Sequence, residues 1–248
     1  MPVDLAPTYT VCGVELHAAT LGRGAEIIVE AAIAGRGLQV HLCNAFTLSL
    51  VERDDRLRSS LDAGDLNLPD GAPAAWLGRH QGTRGPVRGP DLVGEVVDRG
   101  RARQVSHFFW GAGPGVAELM AERLVEAYPG ASVVGTESPP FGPVDDEALE
   151  QLADRVRDAG AQVLWIGLGT PRQDHVVPAL GELLDVPVVP VGAAFDFWAG
   201  TAREAPRWLR GTGLEWVFRL AHEPRRLWHR YSVGHVRFLL GVARDRRR

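Results

Sequence analysis

Two residues with polar side chains that could take part in catalysis, Asp70 and Asn44, each come immediately after a short apolar segment. Asp70 stands in a turn framed by Pro69 and Gly71, after a strand-like apolar piece. If that piece is a strand of an α/β layer, Asp70 lies at the carboxyl edge, where ligands bind in such folds. Its carboxylate could then act as a general base, although an ordinary turn aspartate is the alternative. Asn44 follows the apolar segment 38–43 and is typical of a helix N-cap.

Two further turns lead from an apolar segment into a predicted helix. Gly111-Ala112-Gly113-Pro114-Gly115 would offer free N–H groups and the positive end of a helix dipole to a phosphate. Its spacing differs from the GxGxxG of dinucleotide-binding proteins, so a tight structural turn is the alternative for Gly111 and Gly113. In the second turn, Pro171 suits the first turn of a helix, and Gln173 would project near the open N-terminus.

Asp196 lies between two aromatic residues in a stretch rich in Gly and Ala, which suggests a backbone that packs closely on a ligand. A partly buried carboxylate needs partners. Arg203 and Arg207 could supply them, which would make Asp196 structural, and a ligand contact is an equally supported interpretation. The sequence contains no HExxH motif and no Cys/His cluster, so it predicts no metal site.

Short apolar runs alternate with helix-length amphipathic segments, which predicts a Rossmann-like parallel sheet layered with helices over residues 1–202. The predicted strands are 38–43, 105–110, 132–135, 163–167 and 186–191, the last weakened by its prolines. The predicted helices are 25–34, 46–53, 90–98, 115–127, 146–158 and 174–184. Gly35, Gly130 and Gly160 are expected to mark helix ends, and residues 78–90 a loop.

Residues 203–248 are predicted to form a basic helical appendage, close to the membrane. They contain twelve Arg against four acids, a balance of 12 − 4 = +8, so the rest carries −12 of the total −4. Apolar residues fall near one side of the predicted helix (Leu227, Tyr231, Phe238, Leu239, Val242) and arginines near the other (Arg226, Arg230, Arg237, Arg244). This pattern suits a membrane surface or a phosphate-rich ligand. A helix packed on the body with a solvated arginine face is the alternative.

The composition is that of a soluble globular protein, with 45% hydrophobic and 23% charged residues among 248. No apolar run reaches the length of a membrane span, and residues 1–9 lack a signal pattern. Two cysteines, Cys12 and Cys43, make no disulfide framework, so a cytoplasmic location is expected. The acidic body and the lack of a basic sheet interleaved with aromatics argue against nucleic-acid binding.

Several motifs in a fixed order resemble the WecG/TagA/CpsF family of bacterial glycosyltransferases. The closing block of that family reads close to GGxFDxxAG, then RAPxW, then GLEWxxRLxxEPRRLxxRY, and this chain reads similarly from Gly192 to Tyr231. The family's LPDG, TxN and GxPxQE motifs fall at Asp70, Asn44 and Gln173. The resemblance covers about residues 38–240.

The resemblance implies an inverting glycosyltransferase. It would move a sugar, N-acetylmannosamine or a related hexose, from a UDP-sugar to a polyprenyl-diphosphate-linked sugar in cell-surface polysaccharide or teichoic-acid-type synthesis. Asp70 would deprotonate the acceptor hydroxyl. The residues implied to bind substrate are Asn44 and Gln173 near the donor, Gly111 and Gly113 beside the nucleotide, Asp196, and the appendage arginines Arg207, Arg219, Arg225 and Arg226. These arginines would stabilise the departing diphosphate in place of a metal.

The same resemblance implies a UDP-sugar and a lipid-linked acceptor as partners, no cofactor, and a peripheral position at the inner leaflet of the cell membrane. It leaves association into a homo-oligomer open, along with the identity of both sugars. Two departures stand out: Leu42 replaces the family's Thr, and Pro86 its Arg, with Arg84 and Arg88 near but out of register. These departures give some weight to the alternative function, a catalytically inactive UDP-binding regulatory or interaction module of the same fold.

Overall fold

A computed structural model describes residues 6–206, 209, 212, 215–222 and 224–245. From residue 215 onward, it describes the side chains of 217, 218, 220, 221 and 234–245. The strands are β1 (Thr8–Val11), β2 (Val14–His17), β3 (Leu38–Cys43), β4 (Leu66–Pro69), β5 (Ser106–Gly111), β6 (Ser132–Glu137), β7 (Val163–Gly167) and β8 (Pro187–Pro190).

Helices fill most of the connections between these strands. They are α1 (Leu21–Ile33), α2 (Ala45–Leu50), α3 (Asp55–Ala63), α4 (Ala72–Leu77), α5 (Gly89–Arg101), α6 (Val116–Ala127), α7 (Asp146–Asp158), α8 (Arg172–Leu183), α9 (Ala194–Ala199), α10 (Glu215–His222) and α11 (Pro224–Asp245). A short 3-10 helix, Arg79–Gln81, follows α4.

Strands β3 to β8 form one parallel sheet in the order β4-β3-β8-β7-β5-β6, which confirms the predicted Rossmann-like α/β fold. The registers align the carboxyl ends, because Cys43 pairs with Pro69 and Gly111 pairs with Gly167. The loops that follow β4, β3, β8 and β7 therefore converge on one edge. β1 and β2 form a separate antiparallel hairpin.

The sheet is covered on both faces, as a parallel sheet requires. Helices α1, α5, α6 and α9 enclose one apolar core with the sheet, and α7 and α8 enclose a second. A third core joins the β1–β2 hairpin to α2, α3 and Phe238 of α11. The end of the long C-terminal helix is thus part of the packed structure.

The predicted strands agree with the observed ones to within a few residues, including the proline-containing β8. Pro187 and Pro190 stand at the two ends of β8, and the next residue, Val191, donates its N–H to the Ile166 carbonyl at 2.9 Å. The prolines therefore cost the ladder little. The positive φ angles of Gly35, Gly130 and Gly160 confirm the predicted turns at helix ends.

Other sequence predictions fail where periodicity is a poor guide. α1 begins at Leu21 rather than at residue 25, because Thr20 caps it and Gly24 fits against Leu68. Leu239, predicted on the packing face of the C-terminal helix, is 66% exposed. The packing face consists of Phe238 and Val242 together with two glycines, which an apolar pattern does not register. Added Cβ atoms at Gly234 and Gly241 would touch α2 and the β1–β2 hairpin.

Across the described part of the chain, none of the helices combines the length and hydrophobicity that crossing a bilayer requires. The division into a body of residues 1–202 and an appendage of residues 203–248 stays a prediction. α11 nevertheless reaches back to contact α2 and β1.

Candidate active site

A cleft lies at the carboxyl edge of the sheet, where β4, β3, β8 and β7 end. Asn44 lines it from the end of β3 and Asp70 from the end of β4. Gln173 lines it from the first turn of α8, next to the segment 191–194 that follows β8. Three residues predicted from separate motifs are therefore brought together by the strand order.

Asn44 links the first two of these strands through its side-chain amide. Its Oδ1 accepts from the backbone N–H groups of Phe46 and Thr47 at 3.0 and 3.1 Å, which caps α2 as expected for an asparagine at this position. Its Nδ2 donates to Asp70 Oδ2 at 3.1 Å. The Asp70 backbone N–H donates to the Cys43 carbonyl at 3.1 Å, which fixes the turn after β4. The carboxylate is therefore oriented from β3.

Gln173 is held in the first turn of α8. Its Oε1 accepts from the Gly169 N–H at 3.0 Å, and its own N–H donates to the Gly169 carbonyl at 3.0 Å. On the other side, Gly192 has φ +53° and leaves room beside the Gln173 amide, since a Cβ there would lie 3.1 Å from Oε1. Gln173 is 5% exposed, so the cleft presents it in a fixed orientation.

Behind Gln173, a buried polar pair anchors the same turn. Asp174 Oδ1 lies 3.1 Å from His41 Nδ1, and its Oδ2 accepts from the Thr170 hydroxyl at 3.0 Å. Asp174 stands in the first turn of α8, and its carboxylate is engaged in these two contacts. Burial raises the pKa of the neighbouring Cys43 thiol well above its usual value, and Asp174 and Asp70 add to the effect. Cys43 is therefore a neutral core residue rather than a nucleophile.

Arg88 is the cation that the structure places in the cleft. Its Nη1 lies 2.9 Å from Asp91 Oδ2 and its Nη2 lies 2.6 Å from Glu204 Oε1. The side chain is 10% exposed, and the two carboxylates fix the orientation of its guanidinium group. Arg88 was out of register for the family motif, so sequence reasoning assigned it no role. The signal that could have found it is its place before Gly89-Pro90-Asp91, in the loop that leads into α5.

Other residues missed from sequence also line the cleft. They are Thr170 in the loop before α8, Phe197 in α9, and Glu204 and Ala205 in the segment after α9. Leu42, the departure from the family's threonine, lines the cleft as well. An apolar side chain therefore stands where a hydroxyl was expected.

Gly111 and Gly113 lie outside this cleft, in the loop after β5 on the same edge. A Cβ at Gly111 would fall 2.5 Å from the Gly167 backbone, so glycine is required there for β5 and β7 to approach. Ser138 donates to the Gly113 carbonyl at 3.0 Å. The tight structural turn therefore explains Gly111, while the predicted nucleotide contact stays a prediction.

Asp196 also lies outside the cleft lining, in α9. Its Oδ1 accepts from the Thr201 hydroxyl at 3.1 Å and its carbonyl accepts from the Thr201 and Ala202 N–H groups. In the described part of the chain, this carboxylate stabilises the turn after α9 rather than pairing with Arg203. Arg207 lies outside the described residues, and so do the side chains of Arg219, Arg225 and Arg226, whose predicted roles stay predictions.

The geometry suits proton abstraction inside a shielded cleft. A carboxylate, oriented by an amide, faces a buried glutamine across an opening at the carboxyl edge of the sheet. The described lining contains two carboxylates, Asp70 and Glu204, and one cation, Arg88, a balance of 1 − 2 = −1. An anionic ligand would therefore need positive charge from outside this lining.

Comparison with known proteins identifies the family. The chain is 27% identical to the N-acetylglucosaminyldiphosphoundecaprenol N-acetyl-beta-D-mannosaminyltransferase of Bacillus spizizenii strain W23. The alignment spans 181 residues, which are 72% of this chain and 68% of the relative. Residues 9–248 match the Glycosyl transferase WecG/TagA/CpsF family. The chain therefore belongs to the WecG/TagA/CpsF family of glycosyltransferases.

Proposed function

We propose that this glycosyltransferase moves N-acetylmannosamine or a related hexose from a UDP-sugar to a polyprenyl-diphosphate-linked sugar, with inversion and with Asp70 as general base. The observation that carries the proposal is the Asn44–Asp70 contact in a cleft that Gln173 closes from the opposite side. The name of the Bacillus spizizenii relative supports N-acetylmannosamine as the transferred sugar and a polyprenyl-diphosphate-linked sugar as the acceptor. Synthesis of a cell-surface polymer is the corresponding process.

The inverting reaction needs one base and a direct displacement. Asp70 would take the proton of the acceptor hydroxyl as its oxygen attacks the anomeric carbon, and UDP would leave from the opposite face. Asn44 fixes the orientation of the Asp70 carboxylate through its hydrogen bond to Oδ2. Such a base typically contributes about 10²–10⁴-fold to the rate.

The cleft alone is too small for the whole donor. It encloses about 120 Å³, whereas sites for drug-sized ligands usually enclose at least roughly 300 Å³. The sugar would therefore occupy the cleft, and the nucleotide would extend along the sheet edge towards the loop of Gly111 and Gly113. The proposal therefore includes the predicted contacts of these two glycines with the nucleotide.

Charge supports a contribution from the appendage. Because the described lining sums to −1, the diphosphate of UDP needs additional cations, and residues 203–248 carry a balance of +8. Arg207, Arg219, Arg225 and Arg226 are the proposed donors of that charge, in place of a metal. A lipid-linked acceptor would further place the enzyme at the inner membrane surface.

The test is UDP release from a panel of UDP-sugars, with a short-chain polyprenyl-diphosphate-linked N-acetylglucosamine as acceptor. Wild type should release UDP only when the acceptor is present and with one preferred donor. Asp70→Asn should lose at least about 100-fold in rate, because Asn keeps the shape and the contact to Asn44 but cannot take the proton.

The matched control is Asp62→Asn, the same change at an exposed carboxylate of α3 that pairs with Arg58. It should retain wild-type rates. Full activity of Asp70→Asn would move the base to another residue. UDP binding by wild type without release from any donor–acceptor pair would favour the inactive UDP-binding module instead.

A further inference from the structure

A groove beside the cleft lies on the outer side of Asp70. We call it the Trp76 groove; its lining includes Pro73, Trp76, Arg79, Thr83, Pro86 and Thr212. It encloses about 400 Å³, within the roughly 300–1,000 Å³ that small-ligand sites usually have. It thus has room that the cleft lacks.

The groove and the cleft are lined by neighbouring residues of the same two segments of the chain. Asp70 faces the cleft, and the groove begins two residues later on α4. Arg88 faces the cleft, and Pro86 lines the groove. The Val87 N–H donates to the Pro69 carbonyl at 2.8 Å, which ties the two segments together between the sites. A ligand in the groove could therefore place one end at the Asp70 carboxylate.

Trp76 gives the groove an aromatic surface. The residue is 61% exposed although it stands on a helix whose Ala74 and Ala75 are buried. The Arg79 guanidinium lies 4.3 Å from the centre of its ring. Stacking holds the guanidinium by its face, and its Nε donates to His80 Nε2 at 3.3 Å, which leaves the in-plane donors of its two Nη atoms for a ligand. No carboxylate within the described ranges pairs with Arg79, in contrast to the doubly paired Arg88.

The spacing fits a sugar followed by a diphosphate. Ala72, beside Asp70, begins α4, and Arg79 begins the 3-10 helix that follows it. A rise of about 1.5–2 Å per residue over these seven steps places them roughly 10–14 Å apart. A hexose with its first phosphate spans a similar length. Thr83 also lines the groove.

The outer end of the groove faces the appendage. Thr212, between α9 and α10, lines it. A lipid-linked acceptor must keep its chain in the membrane while its sugar reaches Asp70, so its diphosphate has to lie between the two. Arg79 stands at that intermediate position.

We propose that the Trp76 groove is the acceptor subsite. The acceptor sugar packs against Trp76 with its reactive hydroxyl at Asp70, and Arg79 binds the diphosphate. This assignment rests on the proposed function, because it takes a sugar linked to a lipid diphosphate as the occupant. It adds two residues outside the motifs that identified the family.

The experiment measures binding and transfer separately. Isothermal titration gives the Kd of N-acetylglucosaminyl diphosphofarnesol and of octyl N-acetylglucosaminide, which lacks the diphosphate, and UDP release gives the KM of the first. The variants are Trp76→Ala and Arg79→Gln, both at exposed positions, so the fold should persist. Phe141→Ala is the control, since it removes another exposed ring stacked with an arginine, Arg172.

Trp76→Ala should raise the Kd of both ligands, and Arg79→Gln only that of the diphosphate ligand, each by about tenfold. The KM of the acceptor should rise in parallel, with the Kd of UDP and the Phe141→Ala values unchanged. Wild-type affinity in both variants, or no binding of either ligand to wild type, would overturn the subsite. Acceptor binding that depends on Trp76 without any UDP release would retain the subsite and reject the proposed transfer.

Discussion

Asn44 has two structural roles in one side chain. Its Oδ1 caps α2, and its Nδ2 positions the Asp70 carboxylate across the junction of β3 and β4. The helix-cap interpretation and the functional interpretation of this residue are therefore compatible. Two substitutions can separate them, because serine also caps a helix well and alanine does not.

We expect Asn44→Ser and Asn44→Ala to lose activity alike, by about tenfold or more, because each removes a hydrogen bond to a charged group. Only Asn44→Ala should also lose about 1 kcal/mol of unfolding free energy. Initial rates of UDP release and urea unfolding curves would measure the two effects. A fully active Asn44→Ser enzyme would show that this amide does not position Asp70.

A second residue-scale prediction concerns His107, which is buried in β5 and accepts from Trp165 Nε1 at 3.2 Å. Burial lowers the pKa of His107 to about 4. Since the unfolded histidine has a pKa near 6.5, the unfolded state binds more protons between these values. Its contribution to stability is complete above about pH 6.5 and declines as the pH falls towards about 4, by about 3 kcal/mol in total.

His107→Asn should flatten this acid dependence, because Asn Oδ1 can accept the Trp165 bond but does not titrate. Urea unfolding at several pH values between about 4 and 6.5 would give the slope of unfolding free energy against pH for each protein. The slopes are compared, because the smaller Asn side chain also changes the absolute stability. Burial also lowers the pKa of His17. Its contribution to the pH dependence should be the same in both proteins. Identical slopes would mean that His107 does not control this transition.

At the scale of elements, periodicity predicted the sheet strands well, because parallel strands buried on both faces read as short apolar runs. Six-residue helices such as α4 and α9 offer less than two turns of pattern, and the sequence did not predict them. The site residues Asn44, Asp70 and Gln173 were found one at a time. Their convergence depends on β8, the last strand in sequence, entering the sheet between β3 and β7. No local pattern carries that information.

Arg88 illustrates the same limit. Its position depends on the Val87–Pro69 backbone bond and on Glu204, which is 116 residues away in the chain. A motif comparison that looks for an arginine at the position of Pro86 does not detect the arginine two positions later, at Arg88. The structure shows Arg88 in the cleft, so the Pro86 departure does not leave the cleft without a cation.

The packing of α11 can be tested through a natural cysteine. A Cβ at Gly241 would lie 2.5 Å from the Cys12 sulfur, so valine there should force α11 away from the β1–β2 hairpin. The pKa of the Cys12 thiol is raised to about 12, chiefly by burial. A thiol in this state reacts slowly, and it should react much faster once α11 is displaced.

Labelling with a thiol reagent at neutral pH should therefore be faster in Gly241→Val than in wild type. Ala243→Val, on the exposed side of the same helix, is the matched control and should label slowly. Cys43, fully buried in the sheet, reports global unfolding if it labels as well. Equal Cys12 rates in all three proteins would show that α11 does not shield this thiol.

At the scale of the whole molecule, the charge is unevenly distributed along the chain, since residues 1–202 carry −12 and residues 203–248 carry +8. The outer surface of α11 adds an apolar stripe, because Val236, Leu239 and Leu240 are each more than half exposed at helical spacing. Basic charge beside an exposed apolar stripe is the combination that favours binding to an anionic membrane. This surface would hold the enzyme where a polyprenyl-linked acceptor resides.

We expect wild type to co-sediment with vesicles that contain phosphatidylglycerol, more weakly at high salt because ions screen the arginines. The double variant Leu239→Glu/Leu240→Glu should bind at least about tenfold less tightly. It loses two exposed leucines that would be buried in the bilayer, and it adds two negative charges. Ile33→Glu/Val125→Glu adds the same charge at exposed apolar positions of α1 and α6 and should bind like wild type. If both double variants lose binding equally, net charge alone controls attachment. If neither does, the membrane contact lies outside the exposed face of α11.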